Sequence, residues 1–354
     1  MTKLIRQSLT AYGSPLCETT AECPSPQGTE VLVRVSRCGV CHSDIHMQDG
    51  YFSLGGDKRL DVTGGRTLPF TLGHEIAGVV EATGPDADIA AGREVAIYPW
   101  IGCGTCTACK AGEENLCPAP RHLGIYVDGG YATHVLIPHP RHLLDYAPLS
   151  PAFAGALMCS GLTAYAALKR VAGRVKRGPL LLVGMGGVGL MGLALAQVLF
   201  ADPPIVADID PVKRNAGQKA GARAAYDCGD PATRKTLLKE TGGFAAVIDF
   251  VGAEQSLAFS TSLLARGGKV VVTGLLGGHF TMPAAMFALK GIGIEGIITG
   301  TLQEAQELMA IARAGRLQSP PITERPLCEA QQSLDELRKG QVVGRVALIP
   351  QSGL

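Results

Sequence analysis

The stretch Leu180 to Gly189, LLLVGMGGVG, constrains this chain more than any other. An apolar run without polar alternation leads straight into Gly184, Gly186 and Gly189, spaced G-x-G-x-x-G, and an apolar helical segment, Leu190 to Phe200, follows at once. A strand buried on both faces reads as such an unbroken run, and strands of that kind belong to parallel sheets covered by helices. The three glycines have separate duties. The first permits a tight turn, the second lets a pyrophosphate approach the backbone, and the third lets helix and strand pack closely. The phosphates then rest on the helix N-terminus. Gly187 and Val188, between them, are counted with the cofactor-binding backbone. In a chain with 46 glycines such a turn alone is weak evidence; the flanking strand and helix strengthen it. Asp208 stands nineteen residues after Gly189, at the end of the next strand. A carboxylate there bonds the ribose hydroxyls and repels a 2′-phosphate, which favours NAD over NADP. Lys213 and Arg214, nearby, pull the other way by attracting phosphate charge. The bland alternative is a plain strand–helix turn with a solvated Asp208.

Further short apolar strands, Ile205 to Ala207, Ala246 to Phe250 and Lys269 to Thr273, alternate with helices that begin with Pro151 to Val171. Strand–helix alternation of this kind predicts an α/β fold with a doubly wound parallel sheet. The texture before Ser150 differs. Glu30 to Ser36, Glu75 to Glu81, Glu94 to Tyr98 and Ala132 to Ile137 are short strands between Gly, Pro and Asp clusters, which suggests a barrel-like β domain. The last part gives a helix at Gln303 to Ala314, Pro320-Pro321, a helix near Glu329 to Arg338 and a strand at Arg345 to Ile349. A length of 354 residues suits two domains.

The formal net charge of +1, with 18% charged and 46% hydrophobic residues, argues against an electrostatic nucleic-acid partner. The apolar runs at Leu180 to Val183 and Val270 to Val272 are too short to cross a bilayer. Met1 to Tyr12 has no apolar core of signal-peptide type, so the expectation is a cytoplasmic protein without a membrane partner.

In a long chain read as cytoplasmic, eleven cysteines point to metal ligation more than to disulfides. Cys103, Cys106, Cys109 and Cys117 form C-x2-C-x2-C-x7-C, with Gly102, Gly104 and Gly112 supplying tight backbone. Four thiolates so close suit a closed tetrahedral zinc site that shapes a loop. An iron–sulfur cluster fits less well, because the segment is polar and lysine-bearing and no second cluster motif exists. A nucleic-acid zinc knuckle lacks its basic and aromatic neighbours. Cys17, Cys23, Cys228 and Cys328 are scattered and read as small packing residues. Cys41 in CHSDIH, His74 in GHE and Cys159 in CSGLTAY lie far apart. Singly, each reads as a buried cysteine or a loop histidine. Together they supply the sulfur and nitrogen ligands of zinc with one position left open.

CHSDIH, LGHE, the four-cysteine knuckle, CSGLTAY and VGMGGVG, in this order, resemble the zinc-dependent medium-chain alcohol dehydrogenases along essentially the whole chain. YPWIGCGTC and PRHLGI are similar to the tetrameric archaeal members in particular. The resemblance implies a GroES-like catalytic domain over residues 1–160, to which residues 299–354 return, and a Rossmann domain over 161–298. It implies a catalytic zinc on Cys41, His74 and Cys159 with Glu75 close behind, a structural zinc on the knuckle, and Asp44 orienting His74. Ser43 and His46 would relay the alcohol proton, Asp208 and Lys213 would hold the adenine-side ribose, and Arg345 a phosphate. It further implies a homo-oligomer, dimer or tetramer, that interconverts a small-molecule alcohol with its aldehyde or ketone. Zinc would act as a Lewis acid and NAD would take the hydride. Trp100 would wall the substrate pocket, favouring bulky, aromatic or cyclic alcohols, unless it merely plugs the β core. His122 stands where the archaeal relatives carry a bulky aromatic, which widens that pocket and makes it more polar. The segment Met47 to Pro69 is long for the family, and reads either as a surface or subunit-contact loop or as a lid. Pro203-Pro204 shortens the turn before the second strand of the parallel sheet. A polyol or threonine dehydrogenase of the same superfamily, and a non-catalytic NAD-binding relative, are the rival readings. Both tend to lose zinc ligands that this chain keeps.

Overall fold

Unalternating apolar strands have to be covered on both faces, and this requirement governs the second half of the chain. In a computed structural model, described here for residues 3–350, those strands form one parallel six-stranded sheet. Its order is Ala224–Tyr226, Ile205–Ala207, Leu180–Val183, Phe244–Asp249, Leu264–Val272, Gly293–Gly296. The first strand of this sheet in chain order, Leu180–Val183, is central and fully buried, with Ile205–Ala207 on one side and Phe244–Asp249 on the other. The chain therefore reverses direction across the sheet at this strand. In a doubly wound sheet the crevice at such a switch point is where ligands bind.

The first half folds into antiparallel strands. A large sheet runs Leu143–Asp145, Glu94–Ile97, Glu75–Thr83, Val31–Gly39, Arg345–Ile349, Ile322–Pro326, with His134–Ile137 also on Val31–Gly39. A smaller sheet joins Cys17–Glu22, Lys3–Leu9 and Phe70–Thr71. The strand Arg345–Ile349 pairs antiparallel through Ala347 and Leu348 with Gly39 and Cys38, so the end of the chain is hydrogen-bonded beside Cys41. Val31, Val33, Val35, Ile76, Val80 and Ile97, all buried, form a core for this half.

Pro151–Val175 runs between the two halves as a helix. Ser150 caps it by accepting from the Phe153 N–H, and Pro151 occupies the first turn, where its missing N–H costs nothing. This helix of 25 residues is long and apolar enough to cross a membrane, but 94% of its most apolar window is buried inside the fold. It is a core helix. Gly155 lets it approach the backbone of Glu75, since a Cβ there would stand 2.6 Å from the Glu75 carbonyl oxygen. At Leu157–Gly161 the helix widens into a π-turn, a feature that interrupts regular bonding and often marks a functional position. Cys159 sits in that turn.

Candidate active site and metal centres

The helix His42–Asp49 starts at Cys41, whose extended backbone precedes it, and ends at Gly50, where a φ of 81° needs glycine. Asp44 is fully buried in its first turn, accepts three hydrogen bonds and stands beside His74. Its Oδ2 accepts from the Cys41 N–H (2.9 Å) and the Tyr131 hydroxyl (2.8 Å). Its Oδ1 accepts from the Gly73 N–H (3.3 Å) and lies 3.3 Å from His74 Nδ1. One carboxylate thus fixes Cys41, the glycine before His74, and His74 itself. The Nδ1 face of His74 turns to Asp44, so Nε2 points the other way, 3.3 Å from Ser43 Oγ.

Cys41 Sγ and Cys159 Sγ are 3.8 Å apart, although 118 positions separate them in sequence. Two sulfurs bound to one tetrahedral zinc at about 2.3 Å each are about 3.8 Å apart. Ligand atoms of Cys41, His74, Glu75 and Cys159 all lie within 4.8 Å of one another, and all four residues are buried. The hydrogen bond from Cys159 holds the Cys41 thiol well down, while the same bond holds the Cys159 thiol up. A cation removes this conflict, because both sulfurs then bind as thiolates. Glu75 accepts from Arg345 through Oε1, and its Oε2 is buried without a partner. Burial pushes Glu75 up to about 7. Every one of these observations fits a divalent cation held by two sulfurs, a nitrogen and a nearby carboxylate.

The second cluster is local. Cys103 and Cys109 sulfurs are 4.0 Å apart, and Cys106 and Cys117 sulfurs 3.8 Å. All four sulfurs lie within 4.8 Å of one another. Backbone N–H groups aim at them: Cys103 N–H to Cys117 Sγ (3.2 Å), Cys106 N–H to Cys103 Sγ (3.4 Å), Cys109 N–H to Cys106 Sγ (3.5 Å), Ala119 N–H to Cys117 Sγ (3.4 Å). Hydrogen bonds from Thr105, side chain and backbone, hold the Cys103 thiol down at about 5, whereas burial pushes Cys109 up to about 12. Opposite shifts inside one cluster are again what thiols show when the charge that would reconcile them is a bound dication.

A cleft of about 760 Å³ joins the first cluster to the parallel sheet's switch point. Cys41, Ser43, Cys159 and Trp100 line it on one side, and Gly184, Gly186, Gly187, Val188, Gly189, Asp208 and Lys213 on the other. Gly184 has a φ of 91°, Gly189 packs against the Gly184 carbonyl, and a Cβ at Gly186 would point into open space. These are the three duties expected of the glycines, and the opening at Gly186 fits a pyrophosphate. No side chain caps the helix Gly187–Leu199, so its first N–H groups remain available to an anion. Asp208 is buried; its Oδ2 accepts from the Met185 N–H (2.6 Å) and its Oδ1 from the Asp210 N–H (2.9 Å). Arg214 does not face the cleft. It donates to the Asp208 and Ile209 carbonyls and pairs with Asp227, which answers the concern that it would recruit extra phosphate charge.

Residues 27–147 match the family described as the alcohol dehydrogenase GroES-like domain, and residues 187–314 the family described as zinc-binding dehydrogenase. An NAD-dependent alcohol dehydrogenase of Sulfurisphaera tokodaii is 34% identical over 345 residues, covering 97% of this chain and 99% of the relative. One from Saccharolobus solfataricus is 35% identical over 346 residues, with the same coverage. The solved structure of the alcohol dehydrogenase of Aeropyrum pernix superposes with a TM-score of 0.87 at 28% identity, over 98% of this chain and all of that one. The chain belongs to the zinc-type medium-chain alcohol dehydrogenase family.

Within this family member, the residues expected at the site fall into three groups. Cys41, His74, Glu75 and Cys159 converge, with Asp44 behind them, and the knuckle cysteines converge separately. Ser43 reaches the cleft wall, but His46 does not; it is buried against Phe52, ring centroids 4.5 Å apart, with Nε2 unpartnered. Arg345 lines the cleft, yet its guanidinium is engaged by Glu75, and its Nη1 lies 3.0 Å from where a Cβ on Gly187 would sit. Trp100 is buried and lines the cleft, its Nε1 donating to the Met158 carbonyl (2.9 Å). It is both wall and filler. Residues 47–69 run from the end of the helix His42–Asp49 through a hairpin, Tyr51–Ser53 with Arg59–Asp61, and Phe52, Val62 and Arg66 line the cleft. Tyr131, Asn115 and Arg66 escaped the sequence reading. Tyr131 carries no motif signal; Asn115 lies inside the knuckle's x7 stretch and could have been flagged by its position.

Proposed function

We propose that this enzyme oxidises a primary or secondary alcohol with an apolar, aromatic or cyclic body to its aldehyde or ketone, with NAD as hydride acceptor. The reading is carried by one observation: a sulfur pair 3.8 Å apart, with His74 and an adjacent unpartnered carboxylate oxygen, opens onto a cleft whose opposite wall is the glycine-rich turn. Cys41, His74 and Cys159 would hold zinc, which supplies Lewis acidity to the alcohol oxygen, while bound NAD supplies the hydride acceptor. Asp44 lies on the Nδ1 side of the His74 ring, which leaves Nε2 as the atom that would bind the zinc. Ser43 Oγ, 3.3 Å from both Cys41 Sγ and His74 Nε2, is placed to take the alcohol proton. His46, three residues on along the same helix but behind Phe52 and without a hydrogen bond to Ser43, would end that relay; its Nε2 is unpartnered, and burial holds the imidazole below its ordinary value. Asp208 and Lys213 would hold the adenine-side ribose, and Arg345 would add positive charge near the pyrophosphate. Asp208 disfavours a 2′-phosphate by like charge. The remaining cleft wall, Trp100, Phe52 and Ile125, receives the alcohol's carbon body.

We read the assembly as a homo-oligomer acting in the cytoplasm on a small molecule, in keeping with the resemblance to tetrameric archaeal enzymes. The experiment is a panel of alcohols assayed for NAD reduction with purified enzyme. Benzylic, cyclic and medium-length secondary alcohols should show higher kcat/KM than ethanol. Ethanol as the best substrate would refute the apolar-wall reading, and no reduction with any alcohol would refute the activity itself.

A further inference from the structure

Besides the Thr299 hydroxyl, the cleft lining holds two buried hydrogen-bond acceptors that have no partner among the described residues. His122 is 6% exposed, and its Nε2 has no partner. The Glu114 backbone carbonyl lies against the ring and raises its proton affinity, and since Nε2 has no partner the nitrogen that faces this carbonyl is Nδ1. A carbonyl only accepts; Nδ1 therefore bears the hydrogen, and Nε2 presents a bare lone pair. Burial pushes the ring down to about 4, which keeps it neutral and the lone pair available at ordinary pH. Asn115 is 8% exposed. Its Nδ2 donates to the Ile298 carbonyl (2.7 Å), which fixes the amide's orientation and leaves Oδ1 buried without a donor. Both side chains line the cleft beside Trp100. The indole lies 5.4 Å from the His122 ring and 5.4 Å from the His74 ring, so it links these acceptors to the metal-side histidine.

Buried acceptors without donors are costly and rare, and such groups on a binding wall mark what the ligand has to bring. The two donors nearest these acceptors, Arg66 and Trp100, are turned to the protein's own groups. Arg66 gives its hydrogens to the Val62 and Ile125 carbonyls and reaches Met47 Sδ at 3.1 Å. Trp100 gives its own to Met158. His122 Nε2 and Asn115 Oδ1 therefore ask for hydrogen-bond donors, while the Thr299 hydroxyl on the same cleft, also buried without a partner, can donate or accept.

We propose that the substrate carries a second hydroxyl, remote from the one oxidised, and that it donates its single hydrogen into the acceptor pair His122 Nε2 and Asn115 Oδ1, to one of them or shared between both. This proposal rests on the alcohol-oxidation reading and narrows it, from a bulky alcohol to a hydroxylated one. A site built to bond a substrate hydroxyl discriminates against the analogue that lacks it far more strongly than an apolar pocket discriminates by size.

The test uses matched pairs: 1,4-benzenedimethanol against benzyl alcohol, and hexane-1,6-diol against hexan-1-ol. For each pair the kcat/KM ratio is corrected for the diol's two equivalent hydroxyls. Wild type should favour the diol by about tenfold in at least one pair. H122F and N115L should each pull that ratio towards one. Because the ratio is internal to each variant, a general loss of activity cancels from it. A binding readout is independent of turnover. Trp100 is the sole tryptophan, so its fluorescence reports diol and mono-alcohol affinities directly. The diol should bind more tightly to wild type and no more tightly to H122F. Wild type that treats diol and mono-alcohol alike in both assays would overturn the proposal, as would a diol preference that survives both substitutions. An enzyme inert to every alcohol would refute the oxidation reading, while the fluorescence titration would still decide whether His122 receives a hydroxyl.

Discussion

The two cysteine clusters share a ligand chemistry and differ in almost everything else. The knuckle gathers four cysteines from a stretch of fifteen residues and organises them with its own backbone N–H groups. The other cluster gathers residues from a helix cap, a strand edge and a π-turn, spread over 118 positions, and buries all four while Cys41 and Cys159 still face the cleft. A closed four-sulfur set leaves a metal nothing to do but hold the loop. A set of two sulfurs and one nitrogen, with Ser43 beside it and a cleft in front, leaves a coordination position for chemistry. The difference teaches that the distance over which ligands are collected tracks the job: local for stability, assembled between layers for reaction.

The largest effect that would break this comparison is at His74. His74→Ala should cut kcat/KM by about a thousandfold or more, since Lewis-acid stabilisation is worth several kcal/mol. The circular dichroism spectrum and the knuckle's metal should survive. Next in size is Cys109→Ala. Opening the closed set should release one metal and lower the melting temperature by about 5 °C, corresponding to roughly 3–5 kcal/mol in a chain of this length. Initial rates at low temperature should stay within a few-fold of wild type. If His74→Ala lowered the melting temperature as much as Cys109→Ala does, the division of labour would collapse.

Asp44→Asn sharpens the comparison at the next level. It keeps the bulk but turns an acceptor-only group into an amide beside His74 Nδ1, the Cys41 N–H and the Tyr131 hydroxyl. The expected loss is about 10–100-fold in activity or catalytic-metal affinity, read by titration with a chelator. A loss of melting temperature alone would make Asp44 a structural residue. The smallest predicted effect lies across the cleft. Asp208→Ser should narrow the NAD preference by about tenfold, or ~1.4 kcal/mol. Because Asp208 also accepts from Met185 N–H, affinity for both cofactors should fall while their ratio narrows. Wild type that already used NADP equally well would overturn the assignment of Asp208.

The same contrast governs how much was legible beforehand. The knuckle could be read outright, because its spacing is its geometry. The glycine-rich turn was equally legible: an apolar strand, three spaced glycines and an apolar helix are a local pattern, and Leu180–Val183 and Gly187–Leu199 lie where that pattern put them. Cys41, His74 and Cys159 were visible only through the family resemblance, since nothing in the composition brings residues so distant to 3.8 Å. What stayed hidden depends on packing between elements. Short strands such as Ala224–Tyr226 and Gly293–Gly296 are too brief to show a period, and they exist because their neighbours template them. The tie of Arg345 to Glu75 follows from Arg345–Ile349 pairing next to Gly39, a long-range register that a sequence does not display. The placement of His46 behind Phe52 depends likewise on the hairpin of residues 51–61, whose charges and glycines read as a loop.

Metal content and activity measured on the same samples test the central claim most directly. The account predicts two zinc ions per subunit in fully active wild type, one in Cys109→Ala with activity retained, and one in His74→Ala with activity lost. Fully active wild type carrying a single zinc, or a Cys109→Ala protein that is folded yet as inactive as His74→Ala, would contradict it.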